Sequence, residues 1–282
     1  MNSANITCCL CRNPGSAALE SAALKLYRCG SCGHVFKDLK KDEQEKYPDR
    51  YFSEEHKNWF NNPDYPLFEF IHNGILSLKG KGPLRVLDAG CGKGDFLRYL
   101  RSENPALELY GIDLADNSHP GITFFSGDIM ENDLGMKFDV ITNLAVIEHL
   151  DAPSLFVKKM KGLLAPGGVL FTVTDNDDGM VYAIARILNK IGINAPYGRL
   201  YATHHLQCFS NRSLKLLMEA NGLKTLIHKR HNHPVAAVDY PKSNFIMHLL
   251  YAAAVRLVFL SSTLFDGGIL QVIVCRDKGE KS

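Results

Sequence analysis

Short apolar runs alternate with amphipathic segments along most of the chain after Pro83. The runs are four to seven residues long, which is typical of buried strands and too short for helices. Apolar residues between the runs recur at helical spacing, as in Phe96, Leu97 and Leu100. Five strands are predicted in this way, at residues 84–89, 107–112, 122–125, 138–144 and 168–174. Because strands and helices alternate, the pattern predicts a mostly parallel sheet with helices on both faces.

The end of the chain follows a different pattern. A helical stretch around Leu214 and Met218 ends at Asn221-Gly222, and strands are predicted at residues 223–229 and 269–275. An apolar helix over 245–260 separates these two strands, which we expect to form an antiparallel edge of the sheet. The fold class predicted is therefore α/β, with a doubly wound, mostly parallel, Rossmann-like sheet of seven strands.

Changes of composition divide the chain into three parts. Residues 1–38 are rich in cysteine and glycine, and we interpret them as a small separate domain. Residues 39–82 are charged and aromatic and end at the break Lys79-Gly-Lys-Gly-Pro83, so we expect a linker and cap there. Residues 83–282 form the predicted α/β core, with helical insertions at about 178–221 and 240–265.

Composition and charge exclude some classes of protein. Hydrophobic residues make up 46% of the chain and charged residues 22%, which excludes a disordered or collagen-like chain. The formal charge of +2 gives no global electrostatic reason to expect nucleic-acid binding. The N-terminus shows no secretory signal pattern, so we expect a cytoplasmic protein.

The most apolar stretch, residues 245–265, is interrupted by His248 and Arg256. Because a central arginine is costly in lipid, we do not expect this stretch to span a membrane. Two interpretations remain open for the helix over 245–260. It is either a buried amphipathic helix or a peripheral helix that rests on a membrane or contacts a lipid-linked substrate.

Five of the eight cysteines lie near the N-terminus. Cys8-x2-Cys11 and Cys29-x2-Cys32 are separated by seventeen residues, which is the spacing of a zinc ribbon. Four thiolates complete a tetrahedron and leave no open coordination position. The spacing therefore predicts a structural zinc site rather than a catalytic one.

A glycine-rich turn follows the first predicted strand of the core, with the pattern Asp88-x-Gly90-x-Gly92-x-Gly94. Three glycines let the backbone approach a ligand closely. The spacing does not fit a dinucleotide fingerprint, because position 95 is Asp95 instead of glycine. A phosphate-binding P-loop is excluded as well, since position 87 is Leu87.

This turn resembles motif I of the class I S-adenosylmethionine (SAM)-dependent methyltransferases. Later motifs of that family follow in order, with Asp113 after the second strand, Asp128 after the third, and residues 138–150 as motif IV and its loop. The resemblance covers residues 84–276 and implies SAM as the cofactor. It implies that Asp113 binds the ribose hydroxyls and that Asp128 lies near the adenine. Cofactor binding is assigned on this basis to Asp88, Gly90, Gly92, Gly94, Asp113 and Asp128.

Methyl transfer needs an aligned nucleophile and, for a hydroxyl, a general base. The candidate bases are His149, His204 and His205, and the acidic alternatives are Glu148 and Asp175. We favour His149 and His205 as the catalytic residues, although His149 has an alternative role as a helix cap. In the related quinone O-methyltransferases, a glutamate three residues before the Glu-His pair can bind a divalent cation. Here that residue is Ala145, so a metal-assisted mechanism is not expected.

The motifs of amine and pyrimidine-carbon methyltransferases are missing, because Asn143 is followed by Leu144 and Cys208 is preceded by Gln207. The run from Tyr27 to Phe36 ahead of a methyltransferase core also resembles bacterial proteins associated with the modification of sugars and cell-surface glycans. We therefore expect a small-molecule or glycan-like acceptor, methylated on oxygen ahead of carbon. The alternatives are an RNA methyltransferase that uses the ribbon to bind RNA, and a SAM-binding protein without catalysis. Basic residues are few in the ribbon, which disfavours nucleic acid as a partner.

Overall fold

The computed structural model describes residues 6–13, 17–21, 23–38, 57–115, 118–201, 204–238 and 245–279. Residues 39–56 of the predicted cap and 240–244 of the second predicted insertion lie outside this part of the chain. The domain boundaries at residues 38 and 82 stay predictions.

The cysteine-rich segment forms a small antiparallel sheet. Its strands are β1 (Ala17–Ser21), β2 (Leu26–Cys29) and β3 (Val35–Lys37), joined in this order. A fourth strand, β9 (Gln207–Cys208), comes from the core and pairs with β3. The N-terminal segment is therefore tied to a distant part of the chain by a shared sheet.

The core is a seven-stranded sheet. Its strands are β4 (Arg85–Ala89), β5 (Glu108–Asp113), β6 (Thr123–Ser126), β7 (Phe138–Leu144), β8 (Leu164–Asp175), β10 (Leu223–His231) and β11 (Leu270–Asp277). Their spatial order is β10-β11-β8-β7-β4-β5-β6, and β11 is antiparallel to both of its neighbours. The other pairings are parallel, so the predicted mostly parallel, Rossmann-like sheet with an antiparallel edge is confirmed.

Eight helices connect these strands in the described residues. They are α1 (Lys57–Asn61), α2 (Tyr65–Lys79), α3 (Asp95–Glu103), α4 (Pro153–Leu163), α5 (Met180–Lys190), α6 (Ala195–Leu200), α7 (Asn211–Ala220) and α8 (Phe245–Leu264). Helix α2 was not predicted as a helix. Its N-cap residue is Asp64, whose side chain accepts a hydrogen bond from the Leu67 amide. The helix buries Ile71 and Ile75.

Two apolar clusters cover the two faces of the large sheet. Val86 and Val140 belong to one cluster, while the next residues along the same strands, Leu87 and Ile141, belong to the other. This alternation follows from the two-residue period of a strand, and it explains why both strands read as continuous apolar runs. With both faces covered, the carboxyl ends of the strands form the edge of the sheet where ligands of such folds bind.

Helix α8 carries several exposed leucines, among them Leu249, Leu257 and Leu260, while Phe259 is buried. Within the described segments, no helix combines the length and the apolar character needed to cross a bilayer. The predicted contact of α8 with a membrane or a lipid-linked substrate stays a prediction, and so does the cytoplasmic location.

Candidate functional site

The glycine turn leads from β4 into α3, and all three of its glycines have a positive φ: 78° at Gly90, 52° at Gly92 and 72° at Gly94. A Cβ atom at Gly90 would lie 2.4 Å from Cγ2 of Val146, so the turn packs tightly against the loop after β7. A Cβ atom at Gly92 would meet no atom within 4 Å. Gly92 therefore faces open space, which is what a ligand lying against the backbone requires.

Two carboxylates lie beside this turn. Asp113, at the end of β5, accepts a hydrogen bond from the Gly92 amide at 2.8 Å and another from the Ala115 amide at 3.2 Å. Asp88, at the carboxyl end of β4, is buried and accepts a hydrogen bond of 2.7 Å from Oγ1 of Thr142. Burial raises the pKa of the Asp88 carboxyl to about 7. The third predicted carboxylate, Asp128, accepts a hydrogen bond from the Met130 amide after β6.

A cleft of about 820 Å³, including its open mouth, lies against the turn. Asp88, Gly90 and Gly92 line one side of it, together with Cys91, Lys93 and Asp95. Gly94, Asp113 and Asp128 are not among the residues that line it, but Asp113 reaches its wall through the hydrogen bond to Gly92.

Sequence reasoning missed the opposite wall of the cleft, which includes Trp59, Asp64 and His233. The ring of His233 packs edge-on against Trp59 and against Phe259 of α8, with centroid distances of 5.2 Å in both cases. Nε2 of His231 lies 2.7 Å from a carboxylate oxygen of Asp64. One signal was visible in the sequence, since the run His231-Asn-His233 follows the carboxyl end of β10 at the ligand-binding edge of the sheet.

The predicted acceptor-side residues come together at the ends of β7 and β8. Nδ1 of His205 lies 3.1 Å from Oδ2 of Asp175, which also accepts a hydrogen bond of 2.8 Å from the Tyr182 hydroxyl. His149 hydrogen-bonds through Nδ1 to the His204 carbonyl at 3.0 Å, and its ring centroid lies 4.9 Å from that of His205. His149 does not cap α4, since the N-cap residue of that helix is Ala152.

The pKa of His205 is raised and that of Asp175 is lowered by the interaction between the two side chains. Burial lowers the pKa of the His205 imidazole, but the hydrogen bond and the charge of Asp175 outweigh burial and raise this pKa above its usual value. Burial likewise raises the pKa of Asp175, and its interactions with His205 and Tyr182 bring it below the usual value. Beside this pair, burial raises the pKa of Glu148 to about 7.

His149 and His205 are not among the residues that line the cleft, but Asp175 is close to it. Val173 lines the cleft and lies two residues before Asp175 on β8. Because side chains two residues apart in a strand point to the same face, Asp175 lies on the cleft side of the sheet, nearer to the carboxyl edge. The His205–Asp175 pair therefore lies just beyond the cleft wall formed by Val173.

The four predicted metal ligands also come together. The Sγ atoms of Cys8, Cys11, Cys29 and Cys32 lie within 4.8 Å of one another. The Cys8–Cys32 and Cys11–Cys29 distances are 3.6 Å. Zinc–sulfur bonds of about 2.3 Å in a tetrahedron place sulfurs roughly 3.8 Å apart, so the quartet fits this metal. Cys9 lies outside the quartet, with its Sγ 3.2 Å from Oε1 of Gln207.

Comparison with known proteins agrees with this geometry. A protein-family profile described as "Methyltransferase domain" matches residues 61–228. The ubiquinone biosynthesis O-methyltransferase of Bradyrhizobium diazoefficiens is 30% identical over 126 residues, which is 41% of this chain and 49% of that protein. The ubiquinone biosynthesis O-methyltransferase of Coxiella burnetii is 30% identical over 176 residues, which is 57% of this chain and 71% of that protein.

The chain spans about half the length of most of the curated relatives that it matches. Among solved structures, a SAM-dependent methyltransferase from Archaeoglobus fulgidus has the same fold, with a TM-score of 0.53 and 18% identity. The superposition covers 80% of this chain and 99% of the Archaeoglobus chain. Since the family profile covers more than half of the sequence, the chain belongs to the methyltransferase domain family, within the class I SAM-dependent methyltransferases.

Proposed function

We propose that the protein transfers a methyl group from SAM to a hydroxyl oxygen of a small-molecule or glycan-like acceptor. The observation that carries this proposal is the open cleft between the glycine turn and the wall formed by Trp59 and His233. A Cβ atom at Gly92 would meet no protein atom within 4 Å, so a cofactor could lie against the turn, with an acceptor beside it in the same cleft.

Six residues would hold the cofactor. Gly90, Gly92 and Gly94 shape the turn, and Asp88 lines the cleft beside it. Asp113 and Asp128 follow β5 and β6 at the same edge of the sheet, where they would bind the ribose and the adenine. When bound, SAM supplies a methyl group already activated by its sulfonium, so the protein has only to align the acceptor and accept its proton.

His205 is our candidate for the general base. Asp175 holds Nδ1 of His205 and stabilises the imidazolium that forms when Nε2 accepts the proton of the acceptor hydroxyl. His149 acts on the backbone, since its hydrogen bond to the His204 carbonyl fixes the residue that precedes His205. The two predicted catalytic histidines thus have different roles, a base and a support.

The thiolates of Cys8, Cys11, Cys29 and Cys32 would bind zinc in a structural site. All four tetrahedral positions are used by protein ligands, and three of the four cysteines are buried. Zinc would therefore hold the N-terminal sheet together and take no part in the reaction.

Several observations favour a small acceptor over RNA. Two relatives are named ubiquinone biosynthesis O-methyltransferases, which supports oxygen on a small molecule as the acceptor atom. In the N-terminal segment, Arg28 pairs with Glu20 and the Lys37 ammonium donates to the Tyr201 carbonyl. The exposed cations of this segment among the described residues are Arg12 and Lys25. So few basic side chains are a poor surface for tracking a phosphate backbone.

The test is a transfer assay with methyl-labelled SAM and fractionated cell extract, run with and without ribonuclease. We expect label in ribonuclease-resistant small molecules or glycans, and we expect Asp113→Ala to lose both cofactor binding and transfer. Asp151→Ala, which changes an exposed aspartate, is the matched control. Transfer that ribonuclease abolishes would show that the acceptor is RNA, and cofactor binding without transfer would favour the non-catalytic alternative.

A further inference from the structure

The N-terminal sheet continues into β9, the short strand that follows His204 and His205 in the chain. Val35 pairs with Cys208 and Phe36 with Gln207, and the Lys37 amide donates to the Leu206 carbonyl at 2.9 Å. His205 is therefore the residue directly before the segment that β3 holds. These two parts of the chain are about 170 residues apart in the sequence.

Gln207 joins this strand to both cysteine turns. Its side chain is buried, and its Oε1 accepts from Sγ of Cys9 at 3.2 Å and lies 2.9 Å from Nε2 of His34. Cys9 lies next to Cys8, and His34 follows the second cysteine turn. Nε2 of Gln207 donates to the Leu150 carbonyl at 2.9 Å, just after the loop that contains Glu148 and His149. One amide group thus bridges the cysteine module and the acceptor side of the site.

Two further hydrogen bonds hold the backbone on either side of His205. The Leu206 amide donates to the Glu148 carbonyl at 2.8 Å, and the His204 carbonyl accepts from His149. His205 lies between these contacts and turns its imidazole toward Asp175. Its position therefore depends on two supports, the loop after β7 and the sheet of the cysteine module.

The second support has little apolar core of its own. Its buried cluster consists of Phe36 and the metal-ligand candidates Cys8, Cys29 and Cys32. A module this small needs a metal or an equivalent crosslink to fold, because it buries too little apolar surface. Leu26 and Val35 also pack into the core of the large sheet, so zinc bound by the four cysteines would fix the placement of β3 against β9 rather than its attachment to the core.

We propose that the four-cysteine module (residues 6–38) is a positioning device for His205, with Gln207 as the positioning residue through which metal loading reaches the acceptor side. This inference rests on the proposed function, in which His205 is the base. It adds that zinc, although it takes no part in the chemistry, controls the rate of transfer through the placement of β9.

The first test measures the coupling without any assay of activity. Hydrogen exchange of the full chain is followed by mass spectrometry, with zinc bound and after removal of zinc by a chelator. We expect peptides that cover residues 204–210 to lose protection without zinc, while peptides from β5 and β10 keep theirs. Cys29→Ser should reproduce the effect at any zinc concentration. Unchanged exchange at 204–210 in the metal-free protein would overturn the proposal.

The second test separates positioning from stability. Gln207→Met removes the bridging amide while keeping a similar volume, and Ser154→Ala removes a hydrogen bond of 2.9 Å to Asn221 as a matched control. We expect Gln207→Met to keep stoichiometric zinc and its affinity for SAM, and to lose roughly tenfold or more in kcat, because small displacements of a base are costly. Ser154→Ala should keep its kcat. Equal kcat values for Gln207→Met and the wild type would contradict the role of Gln207.

The two proposals fail in distinguishable ways. Loss of exchange protection at 204–210 in a protein that transfers no methyl group would support the coupling and refute the proposed function. Zinc-dependent transfer with unchanged exchange would support the proposed function and refute the coupling.

Discussion

The glycines at 90 and 92 share a positive φ but serve different purposes. At Gly90 a side chain would collide with Val146 at 2.4 Å, whereas at Gly92 it would project into open space beside the cleft. A substitution at Gly92 therefore blocks a ligand with little disturbance of protein packing. We expect Gly92→Val to abolish SAM binding while far-ultraviolet circular dichroism keeps the spectrum of the wild type. Isothermal calorimetry measures the binding.

Gly135 supplies the control for backbone strain, because it has a φ of 62° with no atom near its Cβ position and lies outside the cleft. Gly135→Val suffers a similar conformational penalty of about 1–2 kcal/mol. It should lose stability but keep its affinity for SAM. Wild-type affinity in Gly92→Val would refute the assignment of the glycine turn to the cofactor.

Asp88 is expected to make stability depend on pH. Its pKa rises from 3.8 to about 7 on folding, so the folded state binds the proton more tightly than the unfolded state. Stability is then fully present below about pH 4 and falls as the pH rises through 7. At about 1.4 kcal/mol per pKa unit the loss is limited to about 4 kcal/mol. Asp88→Asn should remove this part of the decline in urea denaturation at pH 5 and pH 8.

Glu148, whose pKa is also raised to about 7, keeps its own contribution in this variant, so a smaller decline remains. Asp151→Asn at an exposed position should follow the wild type at both pH values. If Asp88→Asn loses as much stability between pH 5 and pH 8 as the wild type does, the buried proton is not on Asp88.

His205 should set the pH dependence of transfer. A base must be neutral, and Asp175 raises the pKa of His205 above 6.5, so the rate should rise with pH through a midpoint above that value. Asp175→Asn removes the charge, and it should lower the midpoint and reduce kcat by about tenfold or more. The side chains of Glu148, His149 and Lys37 are kept in this comparison, and loss of the Asp175 charge also lowers the pKa of Glu148. A midpoint that does not move in Asp175→Asn would exclude His205 as the base.

At the scale of elements, the success of sequence reasoning followed the strength of the local pattern. The strands of the large sheet are visible because they are buried on both faces, and their predicted ends differ from the structure by one residue at β6 and by four at the start of β8. Strand β9 could not be predicted, since it has two residues and exists only through its pairing with β3. Helix α2 was not predicted, because its segment is charged and aromatic and was interpreted as a linker and cap, although Leu67, Ile71 and Ile75 have helical spacing.

Helix α8 was left with two interpretations by its sequence, a buried helix or a peripheral helix that contacts a membrane. It has no acidic residue, carries one arginine, and exposes Leu257 by 65% and Leu260 by 60%. Its buried Phe259 packs on His233 of the cleft wall, so the buried face of the helix lies beside the cleft. The exposed leucines predict that α8 binds the surface of a bilayer through its apolar side chains.

This expectation can be tested by co-sedimentation with vesicles of phosphatidylcholine alone or mixed with phosphatidylglycerol. The protein should sediment with both kinds of vesicle, and the double substitution Leu257→Asp and Leu260→Asp should release it. Leu155→Asp changes a similarly exposed leucine of α4 and serves as the control. If the wild type stays in the supernatant with both kinds of vesicle, the peripheral-membrane interpretation of α8 is wrong.

For the whole molecule, the two halves of the candidate site differ in how far they could be predicted. The cofactor side comes from consecutive strand ends, Asp88, Gly92 and Asp113, and one local motif identifies it. The acceptor side is assembled from segments far apart in sequence, including Trp59, His205 and His233. No short sequence motif predicts that these segments come together, because their proximity follows from the order of strands in the sheet and from the pairing of β9 with the N-terminal sheet.

Trp59 offers a direct test of whether the cofactor binds in the cleft. It is the single tryptophan of the chain, and it lines the cleft together with the glycine turn. A ligand that fills the cleft should change the surroundings of its indole. We expect titration with SAM or S-adenosylhomocysteine to change tryptophan emission with a saturable curve. Asp113→Ala should move that curve to at least about tenfold higher concentration, since charged hydrogen bonds contribute about 1.5–3 kcal/mol. Unchanged emission at ligand concentrations that saturate calorimetry would mean that the cofactor does not lie between Gly92 and Trp59.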